Sequence, residues 1–172
     1  LTPGDRAMVE VPSFIGALRA FDAYQPHYVG LPQSSAQWDA EALGGAKFCY
    51  AGPDFRNPTG TTMTLGERNS LLDLAQATGM ALVEDGCYEE LRYDGEPVPS
   101  LLKLAIRRHG DIERAPVLYT GTFSKTIAPS LRVGWIAGPA HVIRKLVLIK
   151  QASDLATSAL NQMLLLDVVQ TA

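Results

Sequence analysis

Cysteine is scarce in this chain: 172 residues hold two, Cys49 and Cys87. Their separation matches no metal-ligand spacing. No secretory leader is visible, so both are expected to be reduced thiols of a cytoplasmic protein. Long apolar runs are missing as well; nothing approaches the roughly 18 residues that a membrane span needs. An excess of basic charge is also lacking. The formal net charge is −3 with no basic block, which disfavours nucleic-acid binding through this segment. No internal repeat or low-complexity tract stands out.

What is present is an ordinary globular balance, 47% hydrophobic and 19% charged residues, in a chain long enough to bury a core. One domain, or part of a larger one, is the expectation. The chain opens on Leu1, in a turn-like stretch with Pro3 and Gly4, and closes inside a helical pattern. A fragment of a longer protein is therefore expected.

Apolar runs of strand length alternate with helical patterns. Strands are expected over 7–11 (stopped by Pro12), 27–31, 47–51, 80–83, 117–120 and 132–137, with 91–93 a strand or a turn. Helices are expected over 14–23, 100–109, from 140 onward and again from about 158. The clearest helix opens on Thr64 and Glu67, which have the spacing of a capping box, and closes at Gly79. Strands alternating with helices predict a three-layer α/β/α sandwich with a mostly parallel sheet, and such sheets gather ligand groups at the carboxyl ends of their strands.

Three polar clusters follow strands: Asn57-Pro58-Thr59-Gly60, then Asp85-Gly86-Cys87-Tyr88, then Thr122-Phe123-Ser124-Lys125 with Arg132 seven positions on. A lysine alone is usually a solvated surface residue. Here small hydroxyl residues precede Lys125 directly after a buried strand, and hydroxyls with a guanidinium suit a phosphate. A deprotonated lysine amine attacks aldehydes. Asp85 either caps the next turn or serves a pyridine nitrogen, keeping that ring protonated and electron-accepting. Tyr88 is a packing aromatic or a donor to a phenolate-like oxygen. Asn57 belongs either to a plain turn or to an amide held rigidly by Pro58.

At these motifs the chain resembles the fold-type I pyridoxal-phosphate enzymes, specifically the class I/II aminotransferases. The stretches 121–135 (GTFSKTIAPSLRVGW) and 150–165 (KQASDLATSALNQMLL) are similar to the 2-aminoadipate and kynurenine aminotransferase branch. The cofactor half of GntR/MocR-type transcription regulators shares many of these motifs and is the alternative. The resemblance implies a pyridoxal 5'-phosphate cofactor bound covalently by Lys125. It further implies Asp85 against the pyridine nitrogen, Asn57 and Tyr88 on the ring oxygen, Arg132 with Thr122 and Ser124 on the phosphate, and Phe14 on the ring face. Lys125, Asp85 and Tyr88 would be catalytic. Amino acid and 2-oxo acid would be the substrates, and a homodimer the assembly.

Residues 1–172 would then be the central part of the cofactor-binding large domain. The family's first phosphate loop would precede Leu1, and the carboxylate-binding arginine would follow Ala172 in a small C-terminal domain. Two positions depart from the branch. Arg56 stands where a neutral residue such as glutamine is common, and Thr122 stands where serine is common, with its hydroxyl kept.

Overall fold

The computed structural model describes residues 1–171. The elements are β1 (Arg6–Glu10), α1 (Ile15–Asp22), β2 (His27–Leu31), α2 (Ala40–Leu43), β3 (Ala46–Ala51) and α3 (Leu65–Thr78). They continue with β4 (Ala81–Asp85), α4 (Leu101–His109), β5 (Val117–Thr122), β6 (Gly134–Ala137), α5 (Ala140–Asp154) and α6 (Ala159–Thr171). All six strands join one sheet in the order β2-β1-β3-β4-β5-β6. The first five run parallel, and β6 returns antiparallel beside β5. Parallel neighbours require crossovers, and the crossovers place helices over the sheet faces.

The period-2 alternation of each strand sorts its side chains between two layers. Cys49, Leu82 and Val117 point to one face and are buried with Leu71 and Leu72 of α3 and Leu101 and Leu104 of α4. Phe48 and Tyr50 point to the other, where Phe21 of α1 meets them edge-on at ring-centroid distances of 5.0 and 5.7 Å. The mostly parallel, three-layer architecture expected from the sequence is the one observed.

Local chemistry sets the element ends. Thr64 Oγ1 accepts from Glu67 N–H at 3.2 Å while Glu67 Oε2 accepts from Thr64 N–H at 2.7 Å, so the capping box is complete. Gly79 ends α3 in the left-handed region at φ 68. The segment 91–93, expected as strand or turn, is the end of a single 3-10 turn over Glu89–Leu91 followed by a loop. The last strand starts at Gly134, not at 132, because Arg132 sits at φ +51, a left-handed backbone that no strand tolerates. The short α2 had no clear apolar period; Asp39 makes it by accepting from Glu41 and Ala42 N–H.

Two buried charges hold the loops near the strand ends. Arg68 of α3 is fully buried and lies 2.8 Å from Asp54, whose other oxygen meets Arg92 at 2.7 Å. Arg68 also donates to the carbonyls of Pro53, Met63, Val98 and Pro99. It thus ties the loop 52–64 to the segment before α4. Glu84 of β4 accepts from Leu101 and Leu102 N–H at 2.7 and 2.9 Å, an anion at the positive end of α4. Burial nevertheless pushes its carboxyl up to about 7.

The far end of the chain is different in kind. Leu155 of the α5–α6 connection is 83% exposed, and Leu148, Leu160 and Met163 are about two-thirds exposed, which leaves a wide apolar surface on α5 and α6. No helix among the described residues is long and apolar enough to cross a membrane.

Candidate active site

The carboxyl ends of β1, β3, β4 and β5 open onto a cavity of about 170 Å³. A cavity of about 150 Å³ accommodates benzene, so there is room for one six-membered ring. Its wall is built from Glu10 and Phe14 on and after β1, Tyr50, Arg56 and Asn57 on and after β3, Asp85, Cys87 and Tyr88 at and after the end of β4, and Lys125 after β5.

Asp85 is the last residue of β4 and stands in register with Thr120 of β5. Its Oδ2 accepts the Tyr50 hydroxyl, and its Oδ1 accepts Cys87 N–H at 3.3 Å. Burial, then the bond to Asp85, pushes the Tyr50 phenol well above its ordinary range, so this hydroxyl stays a donor. Burial, then Asp85, also pushes the Cys87 thiol up to about 12. It therefore carries almost no thiolate at neutral pH and is no nucleophile. The remaining nucleophile on the wall is the exposed Lys125, in the turn after β5, with Nζ 6.0 Å from the Tyr88 ring centroid.

Phe14 caps the start of α1 with its ring on the cavity, 40% exposed. Gly16 makes the room for it: a Cβ there would fall 2.4 Å from Phe14 Cζ. Behind Asn57, Arg56 Nε lies 2.7 Å from Glu10 Oε1. Neither atom has a hydrogen-bond partner, so the contact is an ion pair whose N–H is not aligned with the oxygen. Glu10 Oε2 accepts from Gly52 N–H at 3.0 Å. Burial outweighs both that bond and Arg56, and pushes the Glu10 carboxyl up to about 7, with Asp85 adding to the rise.

Thr122, Ser124 and Arg132 do not line this cavity. They form an adjoining cluster, one residue from Lys125. Ser124 N–H donates to Thr122 Oγ1 at 3.1 Å, and Arg132 Nη1 reaches Ser124 Oγ at 3.5 Å and the carbonyl of Pro129 at 3.2 Å. The left-handed backbone of Arg132 turns its side chain back toward Ser124. Of the residues singled out in the sequence, Phe14, Asn57, Asp85, Tyr88 and Lys125 thus share one cavity, and the other three gather beside it. Tyr50, Glu10 and Cys87 were not anticipated. Tyr50 reads in the sequence as one more apolar strand position, and only its place on the face shared with Asp85, two positions beyond its β4 partner Val83, betrays it.

An amine and a carboxylate therefore face one ring-sized cavity at the carboxyl edge of a parallel sheet, in an α/β protein. Residues 51–170 match the model of the family described as aminotransferase class I and II, and the chain belongs to that family. It is 39% identical, over 95% of its length, to an aromatic-amino-acid aminotransferase of Thermococcus litoralis. It is 35% identical, over 90% of its length, to an uncharacterised helix-turn-helix-type transcriptional regulator of Bacillus subtilis. The crystal structure of the alpha-aminoadipate aminotransferase of Thermus thermophilus, complexed with N-(5'-phosphopyridoxyl)-L-leucine, superposes with a TM-score of 0.90 over 99% of the chain at 34% identity. The chain spans 40% of the Thermococcus protein, 32% of the regulator and 44% of the crystallised chain.

Proposed function

We propose that this chain is the central part of the cofactor-binding domain of a pyridoxal-phosphate-dependent aminotransferase. The whole protein moves an amino group between an amino acid of the 2-aminoadipate or aromatic type and a 2-oxo acid. The observation that carries the reading is the meeting of Lys125, Asp85, Tyr88, Asn57 and Phe14 on one cavity.

The donor set suits the cofactor group by group. Lys125 would hold it covalently through its amine, Asp85 would accept from the ring nitrogen, and Asn57 and Tyr88 would donate to the ring oxygen. Phe14 would cover the ring face, and Thr122, Ser124 and Arg132 would take the phosphate. When bound, the cofactor supplies an electron-accepting ring that stabilises negative charge at the substrate's α-carbon. Asp85 keeps that ring protonated. The Lys125 amine, when free, would serve as the base that moves the substrate's α-proton.

We read the whole protein as a cytoplasmic homodimer; for the dimer, support comes from the bare apolar face of α5 and α6, which suits burial against another surface. A second reading, a cofactor-sensing half of a regulator, rests on the regulator relative. A DNA-binding module ahead of Leu1, together with absent turnover, would decide for it.

The test is borohydride reduction of the cofactor-loaded, full-length protein followed by peptide mass spectrometry, beside an assay of amino transfer from 2-aminoadipate and aromatic amino acids to 2-oxoglutarate. The pyridoxyl mass is expected on Lys125, and Lys125→Ala is expected to abolish both label and transfer. Label on another lysine, or normal turnover in Lys125→Ala, overturns the assignment.

A further inference from the structure

Tyr50 has a task that burial alone does not explain. It sits on β3, opposite Val83 of β4, so its side chain leaves the sheet on the same face as Asp85 two residues further along. Its ring packs edge-on against Phe21, which fixes the direction of the hydroxyl. That hydroxyl donates to Asp85 Oδ2, while Cys87 N–H holds Oδ1. A carboxylate at the end of a strand is otherwise free to turn about both of its side-chain torsions. One donor on each oxygen removes that freedom. An ionised carboxylate offers about four lone-pair sites, so both oxygens keep capacity for a donor in the cavity that Tyr50 and Asp85 both line.

We infer that Tyr50 is a positioning residue: from the neighbouring strand it aims the Asp85 carboxylate at the pyridine nitrogen of the cofactor. The inference rests on the reading of Asp85 given under the proposed function. Tyr50 itself need not touch the cofactor, and its effect is confined to ligands that carry a basic ring nitrogen.

That confinement supplies the test. Full-length wild type, Tyr50→Phe and Asp85→Ala are titrated with pyridoxal phosphate and with the analogue in which carbon replaces the ring nitrogen, and affinities are read from absorbance. Tyr50→Phe is expected to lose on the order of tenfold in affinity for pyridoxal phosphate, the weight of the charged hydrogen bond from the ring nitrogen that a misaimed Asp85 forfeits. It is expected to lose nothing for the analogue. Equal losses for both ligands would mean that Tyr50 only supports the fold, and no loss for either would mean that it aims nothing; each result overturns the inference. If Asp85→Ala discriminates between the two ligands as wild type does, Asp85 does not face the nitrogen, and the underlying reading falls together with the inference. Should Tyr50→Phe fail to fold, the ring-carbon NMR signal of Tyr50 in wild type decides. It must shift on binding pyridoxal phosphate and stay in place on binding the analogue, and an unmoved signal in both cases overturns the inference.

Discussion

Arg68 offers the sharpest quantitative test of how the loop carrying Asn57 is held. In Arg68→Met the side-chain volume is nearly kept, so the cavity contribution is small and the electrostatic loss stands alone. The variant removes the 2.8 Å contact to Asp54 and the donors to four backbone carbonyls. Breaking a buried ion pair by deleting one partner costs about 3–5 kcal/mol. Arg92 still meets the other Asp54 oxygen at 2.7 Å from a position that retains some solvent, which favours the lower end, about 3 kcal/mol. With a urea m-value of about 2 kcal/mol/M, the midpoint should fall by about 1.5 M at unchanged slope. The melting temperature should fall by about 6–12 °C. Asp54→Asn in the same background should add less than it does alone, because the two residues share one network. A midpoint within about 0.3 M of wild type, or strict additivity in the double variant, would refute the reasoning.

Three more outcomes follow from particular contacts. Glu10 is held at about 7 when folded, against 4.5 as its ordinary value, so the native state keeps a proton that the unfolded chain releases. Its stabilising contribution is full below pH 4.5 and is lost as pH rises to 7, at most about 3 kcal/mol. Glu10→Gln should flatten the stability profile between pH 5 and 7, and parallel profiles would contradict this. Gly16→Ala should raise helix stability by about 0.5–1 kcal/mol while pushing the Phe14 ring off the cavity. A denaturation curve together with a cofactor titration separates the two effects, and unchanged cofactor affinity counts against the role of Phe14. Asp85→Ala should lose most of its turnover at saturating cofactor, a far larger effect than the few degrees of melting temperature that the unpaired Tyr50 hydroxyl costs; wild-type turnover would remove the electron-sink role.

Periodicity made the sheet legible, and turn chemistry made the ends of α3 legible: Thr64, Glu67 and Gly79 act through neighbours within one helical turn, which a sequence displays. Asn57, Asp85 and Lys125 were legible because each stands at or beyond the end of a strand, and parallel strands bring their carboxyl ends together. Tyr50, Glu10 and Arg68 were not, because each is defined by a partner brought close only by the tertiary fold. The hydroxyl of Tyr50 meets a carboxylate 35 positions away, Glu10 meets Arg56 after a crossover, and Arg68 looks like any polar residue on a helix until Asp54 folds against it. The segment 91–93 left strand and turn both open, because so short a run fits either, and the structure decides for the turn that ends at Leu91.

The cavity wall draws on four strands whose sequence neighbours are tens of residues apart. No local piece of the chain contains a rudimentary version of it, so a ligand has nothing to grip until β1, β3, β4 and β5 are all paired. Once seated, the ligand is linked to every one of those pairings at once, and its binding free energy is added to the stability of the sheet as a whole. Amide hydrogens along these strands should therefore slow their exchange together on ligand addition, as a single block, while those of α5 and α6 should exchange at their former rates.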